Sequence, residues 1–367
     1  MDALTTLSNW QRVRLGDICE IVKGQQINKI SLNNTDKYPV INGGIDFLGY
    51  TNKFNVSKNT IAISEGGTCG YVRFMTSDFW SGGHNYSLQK ISNKVNNLCL
   101  YHILKSYEKD IMKLGVGSGL KNIQLKVLKD FEIPLPPLNE QIAIANILSD
   151  LDRYLYSLRA LILKKESVKK ALSFELLSQR KRLKGFNQAW QRVRLGDIFF
   201  ITAGGDLSKP HYSNTKQSDF NYPIYSNAIE KKGLYGYSSF FIIKNKSITI
   251  TSRGTIGVAF FRDYPYVPIG RLLVLQPKIS NIDCRFYTEY INSKVKFNTE
   301  QTTIPQLTIP KVALCEIPLP PLNEQIAIAN ILSALDSEII SLKNKKRQFE
   351  NIKKALNHDL MSAKIRV

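Results

Sequence analysis

Hydrophobic residues along the chain follow two patterns that alternate. From residue 10 to about 135, and again in the second half, short runs of β-branched and aromatic residues are separated by Gly, Asn and Asp turns. Examples are YPVINGGIDFLGY and SITITSRGTIGVAFF. This pattern predicts two mixed α/β globules that are mostly β-sheet. One short helix is predicted in each globule, over 98–113 and over 285–297.

The second pattern is helical. It begins after Pro134, Pro136 and Pro137, which suit the approach and first turn of a helix, and it contains neither proline nor glycine until Gly185. Apolar residues then recur at alternating spacings of three and four, as in a coiled-coil seam. They are Leu148, Leu151, Leu155, Leu158 and Ile162, and the same register returns 184 residues later from Leu332 to Leu360. Two matched helices that each need a partner most simply bury each other, so we predict an intramolecular antiparallel pair.

Lysines interrupt the seam of each predicted helix, at Lys165 and Lys169 in one and at Lys346 and Lys353 in the other. Two interpretations are open. The lysines either set the register and pairing of the helices at some cost in stability, or they mark a solvated end of the bundle.

The chain contains a long internal repeat. The run EIPLPPLNEQIAIANILS occurs at 132–149 and, letter for letter, at 316–333, and WQRVRLGDI occurs at 10–18 and 190–198. The residues between these markers have diverged, so a constant frame with a variable insert occurs twice. The predicted fold is α+β: two mixed, mostly β domains joined by two long antiparallel helices, which form a coiled-coil rod with a pseudo-two-fold internal repeat. The predicted segments are 1–135, 136–184, 185–319 and 320–367.

The chain is strongly basic, with 50 Lys and Arg against 30 Asp and Glu and a net charge of +20 over 367 residues. Such a charge favours a polyanionic partner, nucleic acid first, although a merely basic surface or a membrane surface is also compatible with it. No stretch approaches the ~18 consecutive apolar residues of a membrane span, and the first residues lack a signal-peptide pattern, so we expect a cytoplasmic protein. The five cysteines form no C-x-x-C pair and the four histidines are not clustered, which predicts no metal site and buried, apolar cysteines.

Motifs for catalysis are missing from the sequence. A methyltransferase needs a glycine-rich turn for S-adenosylmethionine and an N-P-P-[YF] or D-P-P-[YF] motif, and neither stands here in usable form. The glycine-rich run at 115–119 follows a helical segment instead of a strand, and its counterpart at 299–303 has no glycine. There is no P-loop for ATP. We therefore predict no catalytic residues, and any chemistry is expected from partners.

The two EIPLPPLNEQIAIANILS blocks, the W-x-x-V-R-L-G-D-I openings and the alternation of variable domain with constant helix resemble the specificity subunit of Type I restriction-modification systems, over essentially the whole chain. The resemblance implies that 1–135 and 185–319 are target recognition domains, one for each half-site of a double-stranded DNA target. It implies that the helices separate these domains and dock two methyltransferase subunits, and through them two restriction subunits. S-adenosylmethionine would then lie on the methyltransferase, and ATP and Mg on the restriction subunit, with no cofactor on this chain.

Two domains with different sequences predict an asymmetric bipartite target, since identical domains would read a palindrome. Two other functions stay open: a coiled-coil adaptor that binds other proteins, and a self-sufficient DNA methyltransferase with fused specificity domains.

Polar residues beside glycine turns are the candidates for reading DNA bases. We match 64–68 with 251–255 and place Glu65 opposite Arg253, because a carboxylate accepts from cytosine N4 and a guanidinium donates to guanine. A tight hairpin with solvent-facing tips would show the same pattern. The loops at 117–124 and 302–308 form a second candidate pair. The DNA-binding candidates are Asn42, Ser64, Glu65, Thr68, His84, Asn85, Lys121 and Asn122 in the first globule and Asn227, Ser252, Arg253, Thr255, Arg271 and Gln306 in the second.

The repeated P-P-L-N-E-Q segments are the candidates for binding a partner. Asn139 and Glu140 are expected to cap and charge a helix start, which stabilises it by ~1 kcal/mol. Their identity in both copies also fits a surface that two identical partners use, or a recent duplication. The partner-binding candidates are Pro137, Leu138, Asn139, Glu140 and Gln141 and their equivalents Pro321, Leu322, Asn323, Glu324 and Gln325.

Overall fold

The computed structural model describes residues 9–297, 305–361, 364 and 367. It divides into two compact units, the first with Met1–Arg159 and Asn344–Val367 and the second with Ala160–Lys343. Each unit contains one globular head and one segment of each of the two long helices. The two units are described separately.

The first head and the helix that follows it contain nine strands and five helices in the described residues. They are β1 (Gln11–Arg14), α1 (Leu15–Ile18), β2 (Glu20–Lys23), β3 (Tyr38–Ile41), β4 (Gly49–Thr51), β5 (Thr60–Ser64), β6 (Val72–Met75), β7 (Trp80–Ser81), β8 (Asn85–Gln89), α2 (Asn97–Ser106), α3 (Glu108–Lys113), α4 (Leu125–Lys129), β9 (Glu132–Leu135) and α5 (Leu138–Leu177). A short 3-10 helix covers Lys29–Ser31.

The second head and its helix repeat that order with small changes. They are β10 (Gln191–Arg194), α6 (Leu195–Ile198), β11 (Phe199–Ala203), β12 (Tyr212–Ser213), β13 (Tyr222–Tyr225), β14 (Leu234–Ser238), β15 (Ser247–Ile250), β16 (Ala259–Arg262), β17 (Val267–Pro268), β18 (Leu273–Pro277), α7 (Cys284–Lys294), α8 (Ile309–Ala313), β19 (Glu316–Leu319) and α9 (Leu322–Met361). Short 3-10 helices cover Lys209–His211 and Glu230–Gly233.

Both heads have the same sheet plan. A four-stranded antiparallel sheet has the order β2-β8-β5-β6 in the first head and β11-β18-β15-β16 in the second. A second sheet pairs fewer residues: it has three strands in the order β4-β3-β7 in the first head and four in the order β12-β14-β13-β17 in the second, and it contains one parallel pair in each head. The apolar, β-branched strands of the larger sheet are buried under α2 or α7, and each sheet and helix pair forms the main core of its head. The α+β prediction and the internal repeat are confirmed.

The two constant sequence blocks pair with each other in each unit. In the first, β1 and β9 form a two-stranded antiparallel ladder with Val13 opposite Ile133. In the second, β10 and β19 repeat it with Val193 opposite Ile317. The opening of each copy is therefore held against the residues that lead into its long helix.

The long helices α5 and α9 contain 40 described residues each. Within the second unit, Lys165 of α5 binds Glu338 of α9, and Lys169 binds Asp336. A higher residue number on α5 thus faces a lower one on α9, as in an antiparallel pair. Within the first unit, Lys353 of α9 binds Asp152 of α5. The antiparallel pairing is confirmed, and these seam lysines are partnered by acids of the opposite helix.

One detail of the first head differs from the sequence prediction. The helix predicted over 98–113 is divided at Tyr107, which ends α2 and precedes α3. The predicted segment boundaries at 135 and 319 coincide with the ends of β9 and β19. The division into four segments stays a prediction, because each compact unit takes part of both long helices.

Within the described residues, α9 is the one helix that by length and composition alone meets the criterion for a membrane span. The core helix of a globular protein meets the same criterion. Part of α9 packs in the main core of the second head, through Ile328, Ala329 and Leu332. These apolar residues of the helix are therefore buried inside the protein.

Candidate nucleic-acid interface

Four segments of the first head come together at the ends of its strands. The side chain of Asn42 accepts a hydrogen bond from the backbone of His84 at 3.0 Å, and the backbone of Thr68 donates to Gly43 at 2.8 Å. The backbone of Glu65 donates to His84 at 2.9 Å, and that of Ile123 donates to Glu65 at 2.9 Å. The segments at 42–43, 65–68, 82–85 and 121–123 thus form one surface, which we call loop cluster 1.

Glu65 lies inside this head instead of at its surface. It is 9% exposed, its carboxylate lies 2.7 Å from Lys23 Nζ, and it accepts a hydrogen bond from the Tyr86 hydroxyl at 3.2 Å. Burial, together with the neighbouring Glu65 charge, raises the pKa of Tyr86 to about 12. The expectation that Glu65 faces a cytosine is corrected by this placement, because the carboxylate is already used to hold the loop.

The pairing of Glu65 with Arg253 is also wrong. The backbone of Ile123 donates to Glu65, and the equivalent bond in the second head runs from Leu307 to Ser252 at 2.9 Å. Ser252 is therefore the counterpart of Glu65. Arg253, one residue later, corresponds to Gly66. The second head thus adds an arginine where the first has no side chain.

The second head brings its candidates together in the same way, in a surface that we call loop cluster 2. Asn227 accepts from the backbone of Ser252 at 2.7 Å and donates to Gly270 at 2.6 Å. The Ser252 hydroxyl donates to the backbone oxygen of Arg271 at 2.7 Å. The guanidinium of Arg253 donates to Gln306 at 3.3 Å. Residues 302–304 of the predicted loop lie outside the described residues.

The candidates divide into residues that build the loop clusters and residues that can reach a ligand. The buried ones are Ser64, Glu65, Asn85 and Ser252; Asn42, Thr68, Asn227 and Gln306 are half-buried; and the exposed ones are His84, Lys121, Asn122, Arg253, Thr255 and Arg271. Loop cluster 1 therefore exposes an imidazole, an amide and an amine, whereas loop cluster 2 exposes two guanidinium groups. Asn pairs best with adenine and Arg with guanine in the major groove, so the two surfaces suit different bases.

Gln26 is a neighbour of loop cluster 1 that the sequence did not indicate. A Cβ placed on Gly83 would lie 2.6 Å from its side-chain nitrogen, so Gln26 lies directly beside the segment that carries His84. Gln26 is exposed and carries the donor and acceptor of an amide. It is distant in sequence from the other members and lies beside no glycine-threonine turn, which is why the sequence pattern missed it.

The starts of α5 and α9 carry the partner-binding candidates, and some of these side chains are buried inside the protein. Gln141 accepts from the backbone of Asn96 at 2.7 Å and donates to Pro136 at 2.7 Å. Gln325 makes the equivalent bonds, to Asp283 at 2.9 Å and to Pro320 at 2.9 Å. Both glutamines are buried and tie a helix start to its head. The prediction that these two glutamines contact a partner is therefore corrected, because their role is structural.

Glu140 and Glu324 are also buried, but their surroundings differ. Trp10 donates to Glu140 at 3.2 Å, and Trp190 donates to Glu324 at 2.8 Å. Glu324 additionally forms an ion pair with Arg182 at 2.9 Å. In the part of the chain that the structure describes, Oε1 of Glu140 has no hydrogen-bond partner. Both glutamates hold the opening tryptophan of their repeat, which explains one part of the sequence identity.

An exposed strip remains at each helix start. Leu138, Asn139 and Ile142 are exposed on α5, and Asn323 and Ile326 are exposed on α9. Pro137, Pro321 and Leu322 are half-buried. Asn139 lies within the first turn of α5, which begins at Leu138, and so does not cap the helix from outside. Residues three or four apart share a helix face, so the exposed Leu138, Asn139 and Ile142 of α5 form one helix-start strip, and the exposed Asn323 and Ile326 of α9 form the other.

Neither the cysteines nor the described acids and histidines build a metal centre. Among the described residues there is no group of three or more His, Cys, Asp or Glu that could hold an ion. Four cysteines are buried and Cys315 is half-buried. Burial raises the pKa of Cys19 to about 12 and that of Cys99 to about 12, which keeps both thiols protonated and unreactive.

Comparison with known proteins agrees with this architecture. The type I restriction enzyme MjaVIII specificity subunit of Methanocaldococcus jannaschii is 26% identical over 100% of this chain and 95% of its own length. The crystal structure of a type I restriction-modification system S subunit from M. genitalium superposes with a TM-score of 0.78 and 25% identity, covering 97% of each chain. A chain from a structural study of complex assembly and conformational transition in the type I R-M system shares the fold, with a TM-score of 0.52 and 14% identity.

The family model described as the type I restriction modification DNA specificity domain matches residues 7–166 and again residues 187–351. Each match covers one constant opening, one variable head and most of one long helix. On this evidence the chain belongs to the family of type I restriction-modification DNA specificity subunits.

Proposed function

We propose that this specificity subunit reads an asymmetric bipartite DNA target, with one recognition domain for each half-site. The observation that carries the proposal is the relation between the two loop clusters. Equivalent backbone hydrogen bonds support both, yet His84, Lys121 and Asn122 are exposed in one and Arg253, Thr255 and Arg271 in the other. A shared frame with different donors and acceptors is what two different half-sites require.

The charge of the chain supports duplex DNA as the ligand. A net charge of +20 attracts a polyanion and supplies affinity that does not depend on base sequence. Base preference must then come from the few exposed side chains of the loop clusters. The division between phosphate contacts and base contacts is general in protein–DNA recognition.

We further propose that two methyltransferase subunits dock on this chain, one at each helix-start strip. The internal bonds of Gln141, Gln325, Glu140 and Glu324 explain why those residues recur, but they do not explain the exposed Asn139 and Ile142 or their copies Asn323 and Ile326. An exposed apolar and amide surface that occurs twice suits two copies of one partner. Restriction subunits would join through the methyltransferases.

In this scheme the chain positions other subunits and performs no reaction itself. S-adenosylmethionine would be bound by the methyltransferase, and ATP and Mg by the restriction subunit. The residues of the loop clusters bind and orient DNA, because the buried members fix the loops and the exposed members meet the bases. A protein-binding adaptor would not need different base-reading side chains on one frame.

The test is to express the chain with a methyltransferase subunit that co-purifies with it and to sequence the methylated bases. One split motif with two different halves is expected. Scattered methylation, or a palindromic motif, would contradict the proposal. Methyl transfer by the purified chain alone would show that the chemistry resides here and would overturn the assignment as a non-catalytic subunit.

A further inference from the structure

The contacts between α5 and α9 can be compared position by position, since residue n of α5 corresponds to residue n+184 of α9. Two ion pairs occur in both units at equivalent positions. They are Lys169–Asp336 with its equivalent Lys353–Asp152, and Glu166–Lys343 with its equivalent Glu350–Arg159. Each helix carries both the base and the acid of each pair. These contacts would therefore form equally well between two copies of the same helix.

One contact that is described in both units breaks that equivalence. In the second unit Lys165 lies 2.8 Å from Glu338, and both side chains are partly exposed. In the first unit the equivalent residues are Tyr154 and Phe349, whose ring centroids lie 4.7 Å apart. The helix α5 thus carries a lysine and a tyrosine, and α9 carries a glutamate and a phenylalanine.

The consequences for pairing are unequal. When α5 meets α9, the lysine finds a carboxylate and the two rings meet each other. Two copies of α9 would instead place Phe349 against Glu338 at both positions, which leaves the carboxylate without its cation. Two copies of α5 would place Lys165 against Tyr154 at both positions, which keeps a cation–π contact but loses the ion pair.

At the ends of the helices, one position that packs against a head is alike in both units. Leu176 at the end of α5 packs in the core of the second head, and its equivalent Leu360 packs in the core of the first head. Both heads therefore meet the same residue type at this position. The helices also differ at Ile162, whose equivalent is Lys346, and Lys169 additionally contacts Glu289 of the second head, so the lysine–glutamate and tyrosine–phenylalanine contacts are one part of the difference.

We infer that Tyr154, Lys165, Glu338 and Phe349 form a pairing selector, which makes an N-terminal half of this chain associate with a C-terminal half and not with a second copy of itself. The selector acts at the level of the helices and does not depend on what the heads bind. Its effect is to keep two different heads in one assembly.

The experiment places a protease recognition sequence at Gly185, where an added Cβ would meet no atom within 4 Å. The purified full chain is cleaved, unfolded in urea and refolded, and the pairings of the halves are counted by native mass spectrometry. Without a preference the halves recombine in the binomial ratio. The selector predicts that mixed pairs exceed this ratio by about tenfold, the combined effect of one ion pair and one aromatic pair.

Two variants serve as matched controls, because each makes the two helices alike at these positions. Tyr154→Glu with Phe349→Lys gives both helices a lysine and a glutamate, and Lys165→Phe with Glu338→Tyr gives both helices the two rings. Each variant should move the ratio back toward the binomial value. A binomial ratio in the parent protein overturns the inference, as does an excess of mixed pairs that both variants leave undiminished.

A measurement on the uncleaved chain decides the matter if the cleaved halves fail to refold. Lys165→Glu should lower the urea midpoint by placing two carboxylates together, and adding Glu338→Lys should restore it. If the second substitution brings no recovery, positions 165 and 338 are not coupled and the selector does not exist.

Discussion

Arg182 lies 2.9 Å from Glu324, a carboxylate that is 1% exposed and that also accepts a hydrogen bond from Trp190. The arginine follows the end of α5, and the glutamate lies in the first turn of α9. The end of one long helix is therefore tied to the start of the other inside the second unit. Glu140, the equivalent acid of the first unit, also holds its tryptophan.

The first prediction concerns this contact. Arg182→Met should destabilise the chain by about 3–5 kcal/mol, because it leaves a buried carboxylate without its cation. Glu324→Gln added to Arg182→Met should recover a large part of that loss, since the neutral amide costs less to bury. Urea unfolding followed by tryptophan fluorescence measures both. A loss below about 1 kcal/mol in the single variant, the size of an exposed pair, would contradict this account.

The second prediction concerns pH. His102 is buried between Tyr101 and the Lys353–Asp152 pair, and burial together with Lys353 lowers its pKa to about 4. The folded state therefore keeps His102 neutral, while the unfolded state takes up a proton below its ordinary pKa of about 6.5. Stability should fall as the pH drops from 6.5 toward 4, by at most about 1.4 kcal/mol per pH unit from this group.

The variant His102→Phe tests whether His102 causes this pH dependence, because it keeps an aromatic ring and removes the titrating group. Its free energy of unfolding should vary less between pH 6.5 and 5 than that of the parent. His84→Ala, which removes an exposed imidazole, is the matched control and should keep the slope of the parent. An unchanged slope in the His102 variant would assign the pH dependence to other groups.

The third prediction concerns base reading by loop cluster 2. Arg253→Ala should weaken the preference at one base pair of one half-site by about 1–3 kcal/mol, the usual value of a bidentate base contact. Competition binding with single-base variants of the target, at fixed salt, measures the change. The half-site read by the other head should be unaffected. Arg347→Ala, which removes an exposed arginine from α9, should leave base preference intact in both half-sites.

The fourth prediction concerns the helix-start strips. Ile142→Asp should remove one of two docking points for a methyltransferase subunit, and Ile326→Asp should remove the other, because each places a charge in an apolar contact. Native mass spectrometry should then count one bound subunit in each single variant and none in the double variant. Ile352→Asp on α9 is a matched control, since Ile352 and Ile142 are both 43% exposed. Full occupancy in the double variant would place docking elsewhere.

The repeat and the periodicity of the sequence determined much of the architecture. Alternating short strands predicted the heads, and the spacing of Leu148, Leu155 and Ile162 predicted a long helix with a buried seam, because these patterns follow from how side chains alternate on strands and helices. The identical blocks predicted two units on one plan. The sequence also placed the DNA-binding candidates beside glycine turns, and the structure brings their segments together at the ends of strands.

Only the tertiary structure decided which of those residues are free to meet a ligand. Glu65 and Gln141 are polar and lie in the expected segments, yet Lys23, Tyr86 and the backbone of Asn96 already satisfy them. Burial depends on partners that are distant in the chain, so local sequence cannot distinguish such residues from Arg253, which is exposed. The same reason applies to the helices: periodicity predicts a seam, but the opposition of Lys165 to Glu338 is a property of the folded pair.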